Sequence, residues 1–76
     1  MEEFLRFVIG QLVEFPEDMV LTKTETSDSV VFHLALRQTD IPKIIGKSGH
    51  TIQALRTLLN ASASRRGLRA GLEIIE

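Results

Sequence analysis

Two glycines three positions apart, Gly46 and Gly49, enclose Lys47 and Ser48, with Ile44 and Ile45 before them and Ile52 after. Glycine reaches backbone conformations that other residues avoid, so this spacing marks a tight loop. The apolar residues on both sides imply that the loop joins two packed segments. The rest of the 76-residue chain has to fit around that junction.

Hydrophobic periodicity supplies the segments. Phe4, Leu5, Val8, Ile9, Leu12 and Val13 recur at three- and four-residue spacing, which predicts an amphipathic helix over residues 2–14. Glu2 and Glu3 in its first turn suit the helix dipole. Gly10 interrupts it, which suits a close packing contact. Pro16 ends it, since the residue before a proline is driven out of the helical region. Residues 19–25 are rich in β-branched side chains and read as a strand. Ser27-Asp28-Ser29 is a turn, and residues 30–37 form a second strand with Phe32, Leu34 and Leu36 on one face. The short polar connection implies an antiparallel hairpin. Thr39-Asp40 offers a helix N-cap ahead of Pro42, and a short helix runs from Pro42 to Ile45. A longer helix follows Gly49 and runs to about Arg66, burying Ile52, Leu55, Leu59 and Ala63, with Gly67 as its C-terminal cap. Residues 70–76 read as a third strand with Leu72 and Ile74 on one face, its start weakened by Gly71.

The expected fold class is therefore α+β: one domain spanning residues 1–76, in the order helix, strand, strand, short helix, long helix, strand. A three-stranded sheet with helices packed on one face is the natural architecture. A chain this short buries only roughly 60% of the surface its unfolded form exposes. The absence of cysteine excludes a disulfide framework and a thiolate metal site. No apolar run is long enough for a membrane span. Glu2 and Glu3 stand where a secretory signal would carry positive charge, so a cytoplasmic setting is expected.

Net charge is −1, which argues against a strong indiscriminate polyanion binder. Its distribution is uneven. Residues 1–40 hold three cations against eight carboxylates, a balance of −5, and residues 41–76 hold six against two, a balance of +4. The loop lies in the basic half, which suits one face for an anionic partner.

Three readings of the loop compete. Gly46-Lys47-Ser48 matches the end of a phosphate-binding P-loop, but that motif needs glycine where Ile41 stands and a strand where Pro42 to Ile45 reads as helix. A plain turn between helices, including a helix-turn-helix reader of DNA, is the second; for the latter only Gln53 and Arg56 lie mid-helix as base readers. The third is a clamp on a nucleic-acid backbone. Glycines let phosphates approach, the following helix N-terminus adds roughly half a positive charge, and Lys47 and Ser48 supply a cation and a hydroxyl. Ile44, Ile45 and Ile52 would partly floor an aliphatic groove beside it. Phe4, Phe7 and Phe32 read as core, with Phe15 at a helix end. No nucleophile–base pair or acidic cluster supports catalysis, and no ligand motif accompanies His33 or His50, so no enzyme activity, metal or cofactor is expected.

The run Ile44-Ile45-Gly46-Lys47-Ser48-Gly49 followed by Ile52 resembles the (I/V)IGxxGxxI signature of the KH family of RNA-binding domains. The element order resembles the type II arrangement, α-β-β-α-α-β, and over its whole length the chain is similar to the bacterial KhpA family. The resemblance implies binding of about four nucleotides of single-stranded RNA across the 46–49 loop and adjoining groove. It assigns RNA contact to Gly46, Lys47, Ser48 and Gly49, with Lys43, Ile45, His50, Thr51 and Ile52 around them. It also implies a homodimer, or pairing with a KhpB-like (Jag, EloR) KH protein, and a link to RNA regulation, cell elongation and division. An assembly module with little RNA affinity of its own is the alternative. Leu58 and Ala61, at the edge of the long helix, are either core or a dimer surface. Arg65, Arg66 and Arg69 read most simply as dipole complements, with a second RNA contact as the lesser reading.

Overall fold

The computed structural model describes residues 1–75. The elements are α1 (Glu2–Leu12), β1 (Val20–Glu25), β2 (Ser29–Ala35), α2 (Ile41–Ile45), α3 (His50–Ser64) and β3 (Arg69–Ile75). Short 3-10 turns lie at Pro16–Asp18, Gln38–Asp40 and Lys47–Gly49. The sheet order is β1-β2-β3, with β1 antiparallel to β2 and β2 parallel to β3. A parallel pair needs a crossover, and here α2, the glycine loop and α3 together are that crossover.

The α+β expectation holds: three helices cover one face of a mixed three-stranded sheet. Val30, Phe32 and Leu34 alternate inward from β2 and meet Leu5 and Ile9 of α1, Leu55 and Leu59 of α3, and Leu72 of β3. On the opposite face Thr22, His33 and Glu73 lie side by side across the three strands, with His33 Nδ1 3.6 Å from Glu73 Oε2. Helix side chains hold backbone groups on both outer strands. Arg6 donates to the Leu21 carbonyl at 3.2 Å, Arg56 to the Leu72 carbonyl at 3.1 Å, and Asn60 Oδ1 accepts from the Ala70 N–H at 3.1 Å. Occupied edges are poor templates for a further strand.

Several sequence expectations are corrected. The first helix stops at Leu12, with Val13 extended, because the Glu14 and Phe15 amides are taken by the Asp40 carboxylate. Pro16 opens a turn of its own rather than ending that helix. Phe4, Phe7 and Leu12 are exposed rather than core, since α1 buries only Leu5 and Ile9 within the helix. The other boundaries move by one or two residues: the hairpin strands start at Val20 and Ser29, Ala35 closes β2, α2 begins at Ile41, Ser64 closes α3, and β3 begins at Arg69. Glu76, assigned to the last strand, lies outside the described residues. Asp40 sits at the N-cap position of α2 but its side chain makes no capping bond.

Gly10 serves no close contact: a Cβ built there meets nothing within 4 Å. Gly10→Ala is therefore expected to raise stability by about 0.8–1 kcal/mol through helix propensity alone. A chemical denaturation curve with an unchanged slope and a higher midpoint checks this.

Candidate nucleic-acid interface

The loop is built by two backbone reversals. The Gly46 N–H closes α2 by donating to the Pro42 carbonyl at 2.9 Å. The chain then leaves the helix with φ +76° and ψ 177° at Gly46. A Cβ at this position would collide with the Thr51 hydroxyl and lie 2.6 Å from Thr51 Cβ and 2.9 Å from the Thr51 amide. Thr51 on the first turn of α3 thus packs against bare Gly46 backbone, and only glycine fits.

Lys47 to Gly49 make one tight turn, with the Gly49 N–H donating to the Gly46 carbonyl at 3.2 Å. Ser48 has φ 56° and ψ 27°, and Gly49 has φ 75° and ψ 12°. Two consecutive left-handed residues are costly for any side chain, and Ser48 alone stores about 1–2 kcal/mol. The turn presents Lys47 and Ser48 to solvent directly before α3. No side chain caps the α3 N-terminus, so its partial positive charge faces outward beside the Lys47 ammonium. Lys47 has no carboxylate partner among the described residues.

The remaining site residues divide. Ile44 and Ile52 are interior, and of the three isoleucines expected to floor a groove only Ile45 is partly open. His50 is exposed and Thr51 half-buried. Lys43 is engaged by carboxylates, with its ammonium 3.2 Å from Glu14 and 3.4 Å from Asp40. Its pKa is raised, first by the bond to Glu14 and, after the opposing effect of burial, by Asp40. Arg37 lies 2.6 Å from Asp18 and 3.6 Å above the Phe15 ring.

Asp40 is the residue whose role sequence reasoning missed. It is fully buried, and its two oxygens accept the Glu14 and Phe15 amides at 3.0 Å each. Burial pushes its carboxyl pKa up, but the two amides and Lys43 outweigh that and hold it below the ordinary 3.8. Asp40 thereby ties the end of α1 to the start of α2, and α2 carries the loop. One signal was present in the sequence: Asp40 is the sole carboxylate between Asp28 and Glu73.

Two cavities lie elsewhere. One of about 400 Å³ is bordered by Glu2, Glu3, Lys23, Glu25 and Arg66, and one of about 330 Å³ by Met1, Phe4, Leu58 and Ser62. Neither is lined by residues of the glycine loop. Among the described residues no His, Asp or Glu cluster could hold a metal, and no helix is long and apolar enough to cross a membrane.

A family model described as KhpA/KhpB, KH domain, matches residues 2–74. The RNA-binding protein KhpA of Chlamydia pneumoniae is 43% identical over 76 residues, covering 100% of this chain and 97% of that one. RNA-binding protein KhpA of Listeria monocytogenes serovar 1/2a is 40% identical over 76 residues, covering both chains fully. The protein of that name from Oceanobacillus iheyensis is 36% identical over 75 residues, 99% of this chain and 100% of its own. These are names of RNA-binding proteins and not of enzymes. With the glycine loop, the mixed sheet and a match from end to end, the chain belongs to the KhpA/KhpB family of KH domains.

Proposed function

We propose that this chain binds short single-stranded RNA, with the Gly46–Gly49 loop holding the backbone and Lys47 and Ser48 making the phosphate and sugar contacts. The observation that carries the reading is the strained, solvent-facing turn with Lys47, unpaired among the described residues, at an uncapped helix N-terminus. His50 and Thr51 extend the backbone contact, and Ile45 contributes the accessible part of the aliphatic groove. Lys43 joins only by sharing its ammonium with Glu14 and Asp40, so its part is smaller than that of Lys47. The names of the relatives support RNA as the ligand. The proposal extends, on the resemblance alone, to a cytoplasmic protein that works as a homodimer or with a KhpB-like KH partner, in post-transcriptional regulation linked to cell elongation and division.

One observation favours the second reading, an assembly module with weak RNA affinity. Phe4, Phe7 and Leu12 of α1 and Leu58 of α3 expose apolar surface, Phe7 to 67% and Leu58 to 52%. Unpartnered apolar area of this kind marks contact surfaces.

The double variant Lys47→Asp/Ser48→Asp separates the two. It removes the loop cation and adds two negative charges, while aspartate tolerates the left-handed position of Ser48. Affinity for single-stranded RNA is expected to fall about tenfold or more at low salt, with an unchanged thermal midpoint and an unchanged mass in solution. Unaltered RNA binding would sink the loop reading. The companion variant Leu58→Glu is expected to dissociate an oligomer and leave RNA contact by the loop in place.

A further inference from the structure

We infer that the nucleic-acid surface continues past the loop along α3 to a second phosphate site made by Arg65, Arg66 and Arg69. The inference rests on the RNA-binding reading of the loop and extends it to a longer strand. No carboxylate occurs between Asp40 and Glu73, so this stretch itself contributes no negative side chain. Gln53, Thr57, Asn60 and Ser64 follow one another at helical spacing and are all exposed, which lays one polar stripe along α3 from the loop end to the arginine end. Thr57 is bonded to the Gln53 carbonyl, and Asn60 bridges the Arg56 carbonyl and the Ala70 amide. The stripe is therefore ordered, polar and uncharged.

Among the described residues these arginines, like Lys47 and Arg56, lack the carboxylate partner that four other cations have. Arg6, Lys23, Arg37 and Lys43 each have a carboxylate partner. Arg65, Arg66 and Arg69 are exposed and, among the described residues, pair with none. A helix C-terminus carries only about half a negative charge, so three guanidiniums exceed what the α3 dipole calls for. The corner that holds them is tied down by Gly67 to Ser64 at 3.1 Å, Leu68 to Ala63 at 3.0 Å and Arg69 to the Asp28 carbonyl at 2.9 Å. Arg66 also borders the cavity shared with Glu2, Glu3 and Glu25, which places its contribution below those of Arg65 and Arg69.

The 15 residues of α3 separate the two sites by about 22 Å. That exceeds the Debye length of about 8 Å in physiological salt, so the sites act on different phosphates. At roughly 3.4 Å per stacked nucleotide, about six nucleotides bridge them. Affinity should then rise with strand length beyond the nucleotides the loop itself holds.

The test compares RNA of about 4 and about 12 nucleotides over a range of salt. Arg65→Gln/Arg66→Gln/Arg69→Gln is expected to leave the shorter strand's affinity unchanged. For the longer strand it should lower affinity and reduce the salt slope by about 2, at about 0.7 per lost phosphate contact. The matching triple lysine variant is expected to restore both, because phosphate reads charge here. Circular dichroism and the thermal midpoint verify folding; the exposed positions predict no change. An unchanged long-strand affinity, equal weakening of both strands, or failure of lysine to rescue overturns the second site. If the wild type gains nothing on lengthening, only this inference falls; if it binds neither strand, the loop reading itself falls.

Discussion

Gly46→Ala is expected to destabilise the protein by about 2–4 kcal/mol, combining a backbone conformation that is essentially glycine-only with steric overlap. For a domain this small that lowers the thermal midpoint on the order of 10–20 °C. The added Cβ meets the Thr51 Cβ and amide as well as its hydroxyl, so Thr51→Ala is not expected to rescue it. Gly49→Ala is the control: its Cβ enters open space, and only the left-handed conformation is penalised, by about 1 kcal/mol. Thermal melts of the two variants check the ordering. Equal losses would show that strain alone, and not the contact with Thr51, makes the first glycine indispensable. RNA affinity is expected to fall in both, because both distort the turn that aims Lys47 and Ser48.

Asp40→Ala is the second large effect. It leaves the Glu14 and Phe15 amides without their acceptor in a part-buried place and leaves Lys43 with Glu14 alone. A fall in midpoint of about 10 °C or more is expected, with Asp40→Asn intermediate because the amide keeps one acceptor. The pH dependence follows from the depressed carboxyl. The folded state binds the Asp40 proton less readily than the unfolded state does. Its stabilising contribution is therefore fully present above the ordinary value of 3.8 and is lost as pH falls through the lower folded value. Acid titration of stability should show this loss below pH 3.8 in the wild type, and the Asn variant should lack that component. A wild-type curve that declined chiefly between pH 7 and 5 would contradict it. Since the clamp holds α2 against α1, residual folded Asp40→Ala protein is expected to bind RNA less well although Asp40 makes no ligand contact.

What the sequence disclosed and what it withheld divide along local and non-local lines. The glycine loop, the long helix with Ile52, Leu55, Leu59 and Ala63 inward, and the alternation of Phe32 and Leu34 are local patterns, and each stands in the structure. The end of α1 was misjudged because its cause is 26 residues away, in the Asp40 carboxylate that takes the Glu14 amide. Phe4 and Leu12 fitted an apolar stripe and Phe7 read as core, yet a small sheet gives α1 room to bury only one side. Lys43 read as a phosphate contact because it stands one turn before the loop. Only the fold reveals that Glu14 and Asp40 reach it first. Arg56 stood mid-helix as a candidate base reader, whereas β3 brings the Leu72 carbonyl under its guanidinium.

The parallel register of β2 and β3 pairs every residue with one 40 positions later, from Ser29 with Arg69 to Ala35 with Ile75. The whole glycine loop lies inside that span. The sheet therefore cannot close until the chain has looped back across some 40 residues, and the entropic cost of such closure comes before the contacts that offset it. The hairpin and the helices can form early from neighbours in sequence. The order of α2 and α3 on the sheet waits for β3. Folding should thus be slower than the helical content suggests, which stopped-flow refolding checks.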